Sequence, residues 1–217
     1  RYEKLPDEQD MEIIKKIQDR PFPVEIPSNR FPIEEMYHGS RIAPKGFTHI
    51  HHFFLPRAAQ ALGALWQKAK ANADVRIRHM LMFAIDQCIW GFSVQNRFRA
   101  VTYSHANNYM TGVYYVPSSI SETSPWYVLD GKIERLSKVF QSHYAQSASV
   151  ITGTGSTAKL QLTDGSIDYI FTDPPFGENI FYADLNFLVE SWYGVISNAS
   201  AEAIVDKVKK KGLSEYQ

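Results

Sequence analysis

The segment IDYIFTDPPFG, residues 167–177, decides how the rest of the chain is interpreted. Its first six residues are mostly apolar and β-prone, and they are followed at once by Asp173, two prolines and Phe176. Mixed apolar runs of this length are typical of strands buried in parallel sheets. Proline has no N–H and disfavours the helical region for the residue before it, so Asp173 should leave the strand extended. The pattern predicts a buried strand at 167–172 that ends in a rigid array of acceptors beside an aromatic ring.

Composition limits the class of protein. The chain has 217 residues, 44% of them hydrophobic, so a substantial core is expected. Its formal net charge is zero, so any nucleic-acid binding must depend on a local patch rather than on bulk charge. The single Cys88 excludes a disulfide framework and a multi-cysteine zinc site in this chain, and it fits a reducing compartment. No apolar stretch reaches the length of a membrane span, so we expect a cytoplasmic protein.

Periodicity and turn residues divide the chain into elements. Helices are predicted at 7–18, 55–71, 74–95, 131–146, 183–195 and 199–211. Short strands are predicted at 113–116, 148–151 and 167–172. The buried face of the second long helix should hold Ile77, Met80, Leu81, Phe83, Ala84, Cys88 and Ile89. These elements suggest an extended N-terminal segment (1–47), a helical and irregular region (48–147) and a sheet-forming region (148–217).

The acid–proline–proline–aromatic sequence suits chemistry on an amine. The exocyclic nitrogen of adenine or cytosine is a poor nucleophile, because its lone pair is delocalised into the ring. The Asp173 carboxylate and the Pro174 carbonyl could each accept one N–H, which favours a pyramidal nitrogen whose lone pair can attack. That stabilisation grows as positive charge develops, so it favours the transition state. Phe176 would stack on the base, which must first flip out of a duplex.

The sequence resembles a known family at these residues. Thr172–Phe176 (TDPPF) is similar to the catalytic motif of S-adenosylmethionine-dependent methyltransferases that act on DNA adenine N6 or cytosine N4. Tyr182–Leu185 (YADL) resembles a subgroup of adenine-specific modification methylases, as found in restriction-modification systems. The likeness is specific over residues 160–192 and diffuse over 50–145. It implies an α/β fold, a partial Rossmann-like class I methyltransferase core with a large, mainly helical insertion.

The resemblance also implies site residues. Asp173, Pro174, Pro175 and Phe176 would be catalytic, and Phe176, Gly177, Glu178 and Asn179 would contact the base. Ser156, Thr172 and Asp173 would lie against the cofactor, S-adenosylmethionine. The partner would be double-stranded DNA with a flipped base, and residues 48–147 would resemble a target-recognition region. No metal is expected, because the sulfonium is already an activated methyl donor.

The chain departs from that family in two places. The glycine-rich stretch 153–158 is followed by neither a helix nor an acid at the spacing of a dinucleotide fingerprint, so we do not favour it as the cofactor loop. The chain also starts at Arg1 and stops at Gln217, before the later strands of a complete sheet. We therefore expect the middle part of a larger enzyme, and this piece alone could be inactive.

Two alternatives stay open. One is an amino-methyltransferase that acts on an RNA base, and the other is a non-catalytic module that recognises nucleic acid. Other polar clusters have ordinary explanations: His49, His51 and His52 are better read as a polar edge than as a metal site. Two polar groups fit phosphate contacts and solvated helix ends equally well: Arg76, Arg78 and His79, then Asn96, Arg97 and Arg99.

Overall fold

The structure, a computed structural model, is mainly helical in the part that it describes. It describes residues 4–36, 39–103, 105–106, 114, 116–143, 150–153, 155–157, 159–173, 177–178 and 180–216. The α-helices are α1 (Glu8–Gln18), α2 (Gly39–Ile42), α3 (Pro56–Lys70), α4 (Val75–Asp86), α5 (Ile89–Phe92), α6 (Pro125–His143), α7 (Tyr182–Tyr193) and α8 (Leu213–Tyr216). Short 3₁₀ helices span Ala43–Lys45, Ile50–Phe53 and Ala199–Ala201. The strands β1 (Asn96–Arg97) and β2 (His105–Ala106) form an antiparallel pair.

Local signals explain where the first helices begin. Asp7 caps α1 by accepting from the Asp10 N–H, while the Asp10 carboxylate accepts from the Asp7 N–H in a capping box. Helix α3 has Pro56 in its first turn, where the missing N–H costs nothing. It buries a stripe at helical spacing that includes Ala59, Leu62 and Trp66. The predicted helices at 7–18 and 55–71 are confirmed.

The predicted helix 74–95 is wrong in its second half. Asp74 caps α4 as expected, but the helix ends at Asp86 and a short α5 follows. Beyond α5 the backbone turns back toward the 3₁₀ helix before α3, where the Val94 N–H donates to the Phe53 carbonyl at 2.8 Å. That tertiary pairing replaces the next helical turn. Helix α6 begins at Pro125, earlier than predicted, and α7 matches the predicted helix 183–195 within one to two residues.

The predicted core face of α4 is also corrected. Cys88 and Ile89, beyond its end, are fully buried, and Ile85 is buried within it. Four of the predicted core residues are instead more than a third exposed: Ile77, Met80, Leu81 and Phe83. Helix α4 packs on α3 and α6, and these two neighbours leave part of its apolar surface uncovered.

Aromatic side chains build the centre of the fold. The Phe31 ring lies 5.2 Å from the Tyr114 ring and 5.3 Å from the Phe187 ring, measured between centroids. Trp192 of α7 packs edge-on against Trp66 of α3 at 5.2 Å. The buried cluster therefore joins α7 to elements more than 100 residues earlier in the chain. Such aromatic pairs add stabilisation beyond the area that they bury.

The predicted strands are not seen as strands. Ile167–Thr172 is irregular and its side chains are exposed; Phe171 keeps 82% of its surface in water. Of 148–151, residues 148 and 149 lie outside the described part, and Val150 and Ile151 are exposed and irregular. Of 113–116, Val113 and Tyr115 lie outside it, while Tyr114 and Val116 are not in a strand. A strand needs a neighbour for its backbone hydrogen bonds, and the described part offers none to these segments. The Rossmann-like α/β core stays a prediction.

The predicted helix 199–211 is wrong. A single 3₁₀ turn at Ala199–Ala201 is followed by a loop closed by the bridge between Asp206 and Lys211. The Asp206 side chain accepts from the Val208 and Lys209 N–H groups, and Lys210 has a left-handed φ of 55°. Side-chain hydrogen bonds to the local backbone compete with helix formation in this way.

Candidate functional site

The residues of the predicted catalytic loop divide into described and undescribed positions. Thr172, Asp173 and Glu178 are exposed, and Gly177 is half-buried. Pro174, Pro175, Phe176 and Asn179 lie outside the described residues. Gly177 has φ of +67°, a left-handed value that side chains with a Cβ rarely adopt. The chain therefore turns at Gly177 between the acid–proline segment and α7.

Helix α7 is the firmly held element next to this loop. Phe181, which precedes its first turn, is 4% exposed, and Leu188 in its middle is fully buried. Gly194 ends the helix in a left-handed conformation, with its N–H bonded to the Ser191 carbonyl. The loop thus enters a helix that is packed into the aromatic core.

The Tyr114 hydroxyl ties α7 to that core. It donates to the Asp184 carbonyl at 2.6 Å and accepts from the Leu188 N–H at 3.2 Å. These two groups are normally partners within a helix, so the phenol lies beside the backbone ladder of α7. Burial raises the pKa of Tyr114 well above its ordinary value, which keeps the hydroxyl protonated as a donor. A buried hydroxyl with both donor and acceptor roles satisfied is a specific anchor.

A buried ion cluster holds the first turn of α7 from the other side. The Lys209 Nζ donates to Asp184 Oδ1 at 2.7 Å and to Asp206 Oδ2 at 2.9 Å. Burial lowers the pKa of Lys209, but the hydrogen bonds to the two carboxylates outweigh it and raise the pKa overall. The three side chains are at most 10% exposed. Removing one of these charged groups would leave a buried charge without its partner, which lowers the stability of the fold.

Glu202 completes the cluster at the helix start. Its Oε1 accepts from the Ala183 N–H at 3.2 Å, one of the groups that a helix leaves without an internal partner. Burial raises the pKa of the Glu202 carboxyl. Phe181, at the N-cap position, provides no side-chain cap, so Glu202 supplies that acceptor from a distant segment.

The three histidines lie together but do not form a metal site. The rings of His51 and His52 are 4.3 Å apart between centroids, and His49 lies 5.4 Å from His51. Burial lowers the pKa of His51, and the neighbouring His52 and His49 lower it further. Within the described residues no group of three or more His, Cys, Asp or Glu side chains is arranged to hold a metal ion.

The basic residues considered for phosphate contacts differ in their exposure to solvent. Arg76, His79 and Arg99 are exposed, whereas Arg78 and Arg97 are half-buried. Arg78 Nη1 donates to the Asn72 carbonyl at 3.5 Å, beside the start of α4. The Arg97 Nε is buried and has no hydrogen-bond partner among the described residues. Local packing therefore accounts for part of this basic group.

The positions predicted to contact the cofactor do not lie in an enclosed site. Ser156, Thr172 and Asp173 are all exposed on irregular segments. Four cavities in the described part of the chain are lined by other residues. Cofactor sites bury most of the ligand surface, so these three side chains as placed do not fit S-adenosylmethionine.

Sequence patterns did not single out the groups that hold α7. Tyr114 stands in an irregular aromatic stretch, and Lys209 stands in a run of lysines that suggests a solvated helix face. Nothing local distinguishes Lys209 from the exposed Lys207 and Lys210. What distinguishes these residues is their contacts with Asp184, which is 25 residues from Lys209 and 70 residues from Tyr114 along the chain. A single sequence does not reveal contacts between residues so far apart.

Comparison with known proteins adds no family assignment. Neither protein-family models, nor curated proteins, nor solved structures match this chain. In the described part of the chain, no helix has both the length and the apolar character that crossing a bilayer requires.

Proposed function

We propose that this protein takes part in methylation of an exocyclic amine of a DNA base, with adenine N6 favoured and S-adenosylmethionine as the methyl donor. The observation that carries the proposal is the order of residues 173–176, an acid followed by two prolines and an aromatic, a few residues before the anchored helix α7. The exposed Asp173 is open to a ligand as large as a base within a nucleic-acid strand.

The chemistry at the amine follows from the residue types. The Asp173 carboxylate accepts one N–H of the amine and the Pro174 carbonyl accepts the other. Both interactions strengthen as the nitrogen becomes positive, so they lower the barrier to attack. Phe176 offers an apolar face to the base, and Gly177, Glu178 and Asn179 follow it at the border of the base site.

The anchoring of α7 supports this assignment. A catalytic loop needs a rigid support, because small misplacements of a positioned group are costly in rate. The Tyr114 hydroxyl and the Asp184–Lys209 ion pair hold the first turns of α7 within a few residues of Gly177. That arrangement limits how far the carboxyl-terminal end of the loop can move.

The bound cofactor would supply the methyl group. Because Ser156, Thr172 and Asp173 do not form an enclosed site in this structure, the proposed roles of the protein are confined to the amine and the base. The absence of an enclosed site at these three residues also favours a second function, recognition of nucleic acid without catalysis. The exposure of residues 159–173 distinguishes this structure from a closed catalytic pocket.

The deciding experiment is transfer of a labelled methyl group from S-adenosylmethionine to duplex DNA and, in parallel, to RNA. Asp173→Ala should reduce the rate about 10²–10³-fold, the usual cost of removing a group that stabilises developing charge. Asp168→Ala is the matched control, because Asp168 is an exposed acid of the same segment, and its rate should equal that of the unaltered protein. Duplexes with a mismatched target base should react faster, since flipping such a base costs less.

Three outcomes separate the alternatives. Equal transfer by the Asp173→Ala variant and the unaltered protein would overturn the mechanism. Transfer to RNA but not to DNA would favour the RNA enzyme. Nucleic-acid binding with no transfer at saturating cofactor would favour the recognition module.

A further inference from the structure

A cavity beside the first turn of α7 has the properties of a binding site. Its volume is about 400 Å³, within the range of small-molecule pockets. It lies between α7, the segment that contains Met36, and the turn that contains Asn198. Asp173, the residue proposed to accept from the amine, is not part of its lining.

One side of the cavity is apolar and firmly placed. Met36 and Phe187 line it, and Ile196 contributes from the loop after α7. Met36 is 2% exposed, and the Phe187 ring packs 5.3 Å from the buried Phe31 ring. An aromatic side chain that is already held against the core can contact a planar ring without the cost of ordering further side chains.

The polar groups of the lining include both donors and acceptors. Lys209 has three N–H donors, and its two carboxylate partners accept from two of them. The Asn198 Oδ1 accepts from the Ser200 N–H at 3.1 Å. Glu35, exposed at the rim, supplies a carboxylate acceptor. A ligand must therefore offer acceptors and donors at its edge.

From these features we propose that the cavity binds a single nucleobase, either in a free nucleoside or in an unstacked strand. A base combines a flat face for Phe187 with an edge of alternating donors and acceptors for Lys209 and Glu35. An aliphatic ligand would leave the buried Lys209 ammonium without a new acceptor. The inference does not depend on methyl transfer, because binding at the cavity and transfer at Asp173 are measured separately.

The test is calorimetric titration of the whole chain with adenosine, with ribose and with a short single-stranded oligonucleotide. Ala199→Trp places a large ring in the cavity lining, and Ala201→Trp places the same ring on the same 3₁₀ helix outside it. Adenosine should bind with one site per chain, and ribose should not. Ala199→Trp should weaken adenosine binding about tenfold or more, while Ala201→Trp leaves it unchanged.

The oligonucleotide distinguishes the source of the base. Tighter binding of the oligonucleotide than of adenosine assigns the cavity to a strand, and the reverse assigns it to a nucleoside. Glu35→Gln is a second variant at an exposed position, where folding should not suffer, and it should weaken adenosine binding about threefold or more. No saturable adenosine binding at millimolar concentration, equal binding of ribose, or unchanged affinity in both Ala199→Trp and Glu35→Gln would overturn the proposal.

Discussion

Two regions rich in apolar residues have opposite surroundings. In the segment 50–70, Phe53 and Leu62 are completely buried and Trp66 is 2% exposed. In the segment 150–173, Ile151 is 98% exposed and Phe171 is 82% exposed. Hydrophobicity alone would place both in a core. The difference shows that burial of an apolar segment depends on whether its backbone N–H and C=O groups can form hydrogen bonds while its side chains pack.

The helical segment forms its backbone hydrogen bonds without a partner segment. Helix α3 forms its backbone hydrogen bonds internally and presents an apolar stripe to its neighbours. A β-prone segment forms its bonds only with another strand, and a lone strand with one apolar face is unstable in water. The first region therefore assembles locally, whereas the second depends on a partner for its backbone as well as for its side chains.

The largest expected effect separates the two regions by stability. Phe53→Ala should lower the free energy of unfolding by about 3–5 kcal/mol, because it leaves a cavity among Phe31, Phe47 and Tyr114. Phe171→Ala should change it by less than about 0.5 kcal/mol, because that ring is already in water. Urea denaturation of both variants measures the difference.

The Phe171 result can break the comparison. A loss of several kcal/mol on Phe171→Ala would mean that this segment packs in solution, as the predicted α/β core requires. Equal losses for both phenylalanines would remove the distinction between the regions.

A smaller effect is expected at the hydroxyl that joins α7 to the core. Tyr114→Phe keeps the buried ring but removes the group that bonds to Asp184 and Leu188. The free energy of unfolding should fall by about 1–3 kcal/mol, since a buried backbone group loses its partner. Tyr169→Phe is the matched control at an 81% exposed position, and thermal melting should not distinguish it from the unaltered protein. Equal stability of both variants would show that the Tyr114 hydroxyl does not anchor α7.

The smallest expected effect concerns pH. Burial raises the pKa of Asp86 from 3.8 to about 6, although a hydrogen bond from Tyr193 and the charge of Lys132 oppose it. Between those two values the folded state binds more protons than the unfolded state, so this group lowers stability as pH rises from about 4 to about 6. Asp86→Asn removes that dependence and should stabilise the protein at pH 7 by about 1–2 kcal/mol. This is less than the roughly 3 kcal/mol that corresponds to the full rise in pKa, because water screens the partly exposed carboxyl.

Denaturation curves at pH 4 and pH 7 check the Asp86 prediction. The gain of Asp86→Asn over the unaltered protein should shrink toward pH 4, where the native carboxyl is already protonated. A gain of the same size at both pH values would show that the charge of Asp86 is not its cause.

The sequence pattern predicted the helices whose positions depend on residues close together in the chain. The apolar periodicity placed α1, α3 and α7 to within one to two residues, although the predicted helix 183–195 ran past Gly194, where α7 ends in a left-handed conformation. The prediction failed where distant contacts intervened. Pairing of Val94 with Phe53 interrupted the second long helix, and the side chain of Asp206 replaced a helix with a closed loop.

The candidate site shows the same division. The acid–proline–proline–aromatic order and its chemistry are visible in the amino-acid sequence, because residue type and spacing specify them. The groups that anchor the neighbouring helix are not visible there, since Tyr114 and Lys209 act on Asp184 across long separations. The cavity beside α7 likewise combines residues from distant segments.

By itself the sequence determined where helices α1, α3 and α7 form and which residues could polarise an amine. Capping, proline geometry and side-chain chemistry act over a few residues, so they are legible in a single chain. Only the tertiary structure decided that Tyr114 and Lys209 hold α7 and that residues 159–173 stand exposed. Those outcomes depend on which distant groups meet, and burial of an apolar segment follows from its partners rather than from its composition.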